Sequence, residues 1–241
     1  MSQVQFQAPP LTKVNKILLI SVGVTFLVYS ILKAVGALNL VQFLGLSANG
    51  LFNGLIFQLF TYGLVETQLM SLIFSGMVVW FVGSELESLW GSRVYLRFLL
   101  LTVVGVGLIY TLIGLIFFYG TNVYMTPIHG LAGINFALLT AYAILYPDRQ
   151  MSLMMIFPVR ARTFCLILGA IEAYMAIFTS FSSAWAHLLA MGISFLIIRF
   201  QTQPLLKRVL NSTFSAKKSS SSKKHLYVVK DEEKDPPKYW Q

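Results

Sequence analysis

Apolar residues in this chain come in long unbroken blocks rather than in strand-like alternation. Six blocks stand out: Ile17 to Val35, Gln68 to Gly83, Leu96 to Phe118, Gly130 to Leu145, Thr163 to Thr179 and Ala184 to Ile198. A helix needs roughly 17 to 25 apolar residues to cross a hydrocarbon core of about 30 Å, so each block is read as one membrane helix. The fourth and sixth are short and rich in small residues. The first block leads into Gly36-Ala37-Leu38-Asn39-Leu40, with no small-x-small cleavage pattern, and is read as a retained helix and not a signal peptide. The expected fold is an all-α polytopic bundle of six transmembrane helices. The stretch joining the first two helices is itself apolar, with Leu51-Phe52, Leu55-Ile56-Phe57 and Leu59-Phe60 close together, and is expected to lie in the membrane interface or dip into it.

Charge orients the bundle. Lys13 and Lys16 precede the first block, Arg93 and Arg97 follow the second, Arg149, Arg160 and Arg162 separate the fourth from the fifth, and Arg199, Lys207 and Arg208 follow the sixth. Residues 34–67, 119–129 and 180–183 contain no Lys or Arg. Cations retained on the cytoplasmic side then place both termini there. Lys33, at the far end of the first helix, is accommodated by snorkelling. Three regions follow: a cytoplasmic segment 1–16, a membrane domain 17–200 and a basic, disordered cytoplasmic tail 201–241.

Composition agrees: 56% of the 241 residues are hydrophobic and 11% charged, which excludes both an ordinary soluble domain and a largely disordered chain. The net charge of +9 resembles a nucleic-acid signal until it is located. Residues 199–241 hold ten Lys or Arg against four acids, a surplus of six, and only three charges of surplus remain elsewhere. No nucleic-acid partner is expected. The single Cys165 excludes an intrachain disulfide and a cysteine-based metal cluster; neither a metal nor a cofactor is expected.

Polar groups inside spans are expensive, and they carry the candidate chemistry. Ser71 and Ser75 lie four apart on one helix face, Gly130-Leu131-Ala132-Gly133 opens the fourth helix, Glu172 sits near the middle of the fifth and His187 near the start of the sixth. Singly, each has a structural reading: a serine bonded to its own helix, a satisfied histidine, glycines for close packing, a glutamic acid bonded within the bundle.

Together they resemble the rhomboid intramembrane serine proteases. Gly130-Leu131-Ala132-Gly133 resembles the family's G-x-S-G motif, and the helix from Ala186 and His187 through Ala190 to Ser194 its A-H-x-x-G-x-x-x-G pattern. Phe57 to Tyr62 is similar to W-R-x-x-T-Y, Gly83 to Ser92, including Glu87, Trp90 and Gly91, to G-x-x-L-E-x-x-W-G-S, and Tyr146-Pro147 is also typical. The resemblance implies that Ala132 stands at the nucleophile position, His187 at that of the general base, Ser71 and Ser75 at the oxyanion-stabilising positions, and Phe136 against the histidine. Ala190 and Ser194 replace glycines but keep small-xxx-small spacing. Alanine has no nucleophile, and losing that atom alone costs about 10⁶ in kcat in a serine hydrolase.

The expected function is therefore a catalytically inactive homologue that binds transmembrane segments of client proteins in the bilayer, in a bacterial inner membrane, with the oligomeric state left open. Two rivals stay open: an active protease carrying a Ser-to-Ala change at 132, and a small proton-linked transporter or channel using Glu172 and His187.

Overall fold

The computed structural model describes residues 10–36, 38–118, 126–153, 157–178 and 183–200. The expected tail from 201 and most of the expected N-terminal segment lie outside them, and the fold below is that of the unit ending at Phe200. Each of the six apolar blocks is helical over most of its length, with Thr179 outside the described residues and Gln68, Gly130 and Leu131 preceding their helices, as expected where lipid offers no partner for backbone N–H and C=O groups. Helix α1 is Lys13–Val35. Three short helices follow, α2 (Leu40–Leu44), α3 (Ala48–Phe52) and α4 (Gln58–Thr61), the last extended by a 3₁₀ turn over Tyr62–Leu64. Then come α5 (Leu69–Trp90), α6 (Ser92–Phe118), α7 (Ala132–Leu145), α8 (Ala161–Phe178) and α9 (Ser183–Phe200).

Four of these, α1, α5, α6 and α9, are long and apolar enough to cross a membrane; α7, with 14 residues, is shorter. Helix α5 outruns its apolar block by seven residues because a π-helical stretch, Val79–Gly83, carries the helix without a break into Ser84–Trp90. Gly91, at φ 78°, then turns the chain into α6. The all-α expectation needs one correction. Gln150–Leu153 (β1) and Phe157–Arg160 (β2) form an antiparallel hairpin, registered from Gln150 opposite Arg160 to Leu153 opposite Phe157. This run is too short to span as a helix, and pairing satisfies its backbone; the Ala161 N–H to the Arg149 carbonyl, 2.9 Å, closes its base.

Helix α7 is the hub. Nine of its fourteen residues are buried, and α5, α6 and α8 all pack on it. Helix α9 reaches it through small residues: a methyl added at Gly133 would stand 4.0 Å from the Ala190 Cβ, and Ser194 Oγ donates to the Ala137 carbonyl at 2.8 Å.

The other joint is built around Glu87. Its carboxylate accepts the N–H groups of Val14 at 3.2 Å and Asn15 at 3.3 Å, capping α1 from more than seventy residues away, and takes the Ser92 hydroxyl at 2.6 Å. An anion there suits the positive end of α1. Tyr95 donates to Asn15 Oδ1 at 2.7 Å directly beneath, and Trp90 meets Phe98 edge-on with ring centroids 5.2 Å apart. One carboxylate thus ties α1, α5 and α6.

Candidate functional site

The site is assembled at the start of α7, where the chain turns from an extended segment into a buried helix. Gly130 takes φ 109°, a conformation side chains avoid, and its N–H bonds the Tyr62 carbonyl at 3.0 Å. The next N–H, of Leu131, donates to Glu66 Oε1 at 2.8 Å. Glu66 is 4% exposed and serves α7 as Glu87 serves α1. Burial pushes the Tyr62 phenol well above its usual range, and its hydroxyl donates to the Val103 carbonyl at 3.0 Å. His129 is exposed and stands 3.4 Å from the Thr67 hydroxyl.

Ala132 is the first residue of α7, half-buried. One turn on, the Phe136 ring stacks on His187, centroids 5.0 Å apart and planes 25° apart. His187 Nδ1 lies 3.0 Å from Glu172 Oε2, so the two ionisable residues singled out on separate helices are partners that join α8 to α9. Both side chains are slightly accessible, 18% for the histidine and 17% for the glutamate. Ser71 is half-buried and Ser75 buried on α5, which packs against α7. Asn135 is also buried, and its Oδ1 finds no partner among the described residues. Among those residues no three of His, Cys, Asp and Glu come together as a metal-holding group.

Glu66 escaped the sequence reading; an acid two residues before the second apolar block was the only signal, and nothing local tied it to the start of α7. Asn135 escaped too, hidden in an apolar block. Chemically, the centre offers a His–Glu pair with one imidazole nitrogen already engaged, an aromatic lid on that imidazole, and a methyl group at 132. It can exchange hydrogen bonds and protons; position 132 supplies no nucleophile.

At the other end of α7, Glu85 accepts the Tyr142 hydroxyl at 3.1 Å and pairs with Arg149, whose guanidinium lies 6.0 and 5.5 Å from the ring centroids of Tyr142 and Tyr146. This latch ties α5 to the end of α7.

Compared with known proteins, residues 16–218 match the sequence model of a family described as eukaryotic integral membrane protein (DUF1751). No curated protein matches. The match overturns the rhomboid assignment and, with it, the bacterial inner membrane. It also removes the ground on which Ala132, His187, Ser71 and Ser75 received protease roles. The motifs behind that resemblance have local explanations. Gly83 is held by packing, since a methyl there would stand 2.6 Å from Tyr95 Oη; Gly133, Ala190 and Ser194 serve the α7–α9 contact; Glu87 and Gly91 build the α1–α5–α6 joint. Short runs of small residues recur wherever membrane helices approach closely, so they are weak markers of ancestry.

Proposed function

The chain belongs to that family of eukaryotic integral membrane proteins, and from this premise we propose that it binds transmembrane segments of other membrane proteins laterally, without cleaving them. The observation that carries the reading is the Glu172–His187 pair. It is a polar couple set between helices whose outer surfaces are apolar, and both members keep some accessibility. Ionisable groups in spans are costly and mark functional positions. The outer face of α8, which carries Glu172, exposes Leu166, Ile171, Tyr174, Ile177 and Phe178, and α5, which like α8 packs on α7, exposes Met70, Ile73, Phe74 and Met77. An incoming helix has apolar surface to lie on and one polar place to be recognised. The proposal includes six crossings with both termini cytoplasmic, which rests on the distribution of Lys and Arg.

The test is site-specific photocrosslinking in native membranes. A crosslinker at Ile171 should form adducts with defined transmembrane peptides, identified by mass spectrometry, and these should fall at least several-fold in the Glu172→Gln variant. Equal adducts from Val24, on the lipid-facing side of α1, would sink the reading. The same pair also favours a proton path; proton flux into vesicles that disappears with His187→Ala would support that rival instead.

A further inference from the structure

The segment between α1 and α5 has the reverse polarity of a water-facing loop. From Ala34 to Val65 it contains no Lys, Arg, Asp or Glu. Its outer surface carries Phe43, Phe52, Ile56 and Phe60, with Phe52 62% and Ile56 63% exposed. Its hydrogen bonds run inward. Gln58, 0% exposed, donates from Nε2 to the carbonyls of Phe43 at 3.1 Å and Gln42 at 3.4 Å, and its Oε1 accepts the Ser47 N–H at 3.4 Å. Thr61 Oγ1 donates to the Leu44 carbonyl at 2.9 Å, and Ser47 Oγ accepts the Gly50 N–H at 3.0 Å. The polar side chains left outside, Asn39, Gln42 and Asn53, are uncharged.

Helix α7 fixes the depth of this segment. Its 14 residues span about 21 Å at roughly 1.5 Å each, against a hydrocarbon core of about 30 Å. Its C-terminal end runs into Tyr146-Pro147-Asp148-Arg149, where Arg149 is exposed. With that end at the cytoplasmic interface, as in the six-crossing topology proposed above, the N-terminal end stops about 9 Å short of the opposite interface. Non-helical backbone at that depth persists only under a cover of protein. The segment supplies the cover: Tyr62 takes the Gly130 N–H, and Leu46 and Ile128 exchange both backbone bonds at 2.9 and 2.8 Å. Its polar interior is thereby fastened below the membrane surface.

We propose that residues 38–64 form a platform inserted into the non-cytoplasmic leaflet, with Phe43, Phe52, Ile56 and Phe60 among the acyl chains and Gln58 sealing the polar interior. Lipid is the occupant of that surface because it is continuous with the exposed ends of α1 and α5, at Val35 and Leu69, and carries no charge that hydrocarbon would have to desolvate.

The experiment uses the full chain, purified and reconstituted sparsely in phosphatidylcholine vesicles, with Cys165→Ala and a single nitroxide-labelled cysteine at position 52, 60, 73 or 149. Relaxation by oxygen and by a water-soluble nickel complex reads depth. At 52 and 60, oxygen access should exceed nickel access several-fold, approaching the ratio at position 73 within α5, while 149 shows the opposite preference. Nickel access at 52 and 60 equal to that at 149 overturns the platform and leaves the topology standing. Shielding from both reagents overturns it in favour of a second copy of the chain covering the face. A membrane-deep reading at 149 overturns the platform and the six-crossing topology together.

Discussion

Glu87 and Glu172 are both glutamates in the membrane domain, and they sit in opposite circumstances. Glu87 is buried and collects two backbone N–H groups from α1 and a hydroxyl from α6, beside the Tyr95–Asn15 bond. Among the described residues Glu172 meets His187 alone, and both keep a share of accessible surface. A carboxylate whose lone pairs are consumed by the fold is a joint; one that retains capacity beside an apolar face is available to a ligand. Burial of a polar group in a membrane protein is therefore not by itself a functional sign, and the inventory of its partners is what separates the two cases.

The sharpest way to break that comparison is to remove each carboxylate and compare unfolding in detergent. Glu87→Ala strands the Val14, Asn15 and Ser92 donors, and hydrogen bonds to charged groups contribute about 1.5–3 kcal/mol each, so a loss of about 3 kcal/mol or more is expected. Gly83→Ala acts on the same joint by volume, pressing on Tyr95 Oη and, at 2.9 Å, on Asn15 Oδ1. Overpacking of this kind costs about 1–3 kcal/mol, read as a lowered melting temperature.

Glu66→Gln keeps the shape of the α7 cap and removes its charge. A loss of about 1 kcal/mol is expected, with local opening detected by faster hydrogen exchange at Leu131. Glu172→Gln should cost the least, under about 1 kcal/mol, since the amide still hydrogen-bonds the His187 imidazole, while the crosslinks from Ile171 fall. A destabilisation as large as that of Glu87→Ala would make the pair a second joint and remove the observation on which client binding rests. The chain carries its own topology reporter as well: Asn211-Ser212-Thr213 is a glycosylation sequon in the tail. With the tail in the cytoplasm, endoglycosidase treatment leaves the electrophoretic mobility unchanged; a glycan at Asn211 would place the tail on the other side.

The sequence misled where the signals were short and chemically generic. Gly130, Gly133, Ala190 and Ser194 were legible as close-packing residues, yet the same letters supported a protease resemblance that the family match does not bear out. Shared letters did not make a shared family, because helix packing alone selects small residues such as Gly133, Ala190 and Ser194, while Gly130 answers to its φ of 109°. The partners of the charged groups were less legible still. Glu66 lies 65 residues from the Leu131 N–H that it caps, and Glu172 lies 15 from His187, which is on the next helix. No local periodicity encodes either pairing.

By itself the sequence determined that this is a helical membrane protein and where the helices run, to within a few residues at most ends. Hydrocarbon forces backbone groups to bond within each segment, so long apolar blocks have one outcome. It determined too that position 132 lacks a nucleophile, since that is a property of the side chain alone. Only the tertiary structure decided that Glu87 is a joint, that Glu66 caps the shortest of the six long helices, that Gln58 holds the apolar segment together from inside, and that Glu172 meets His187. Each depends on a side chain reaching a backbone or ring that another part of the chain places there, and that placement is set by how the helices pack.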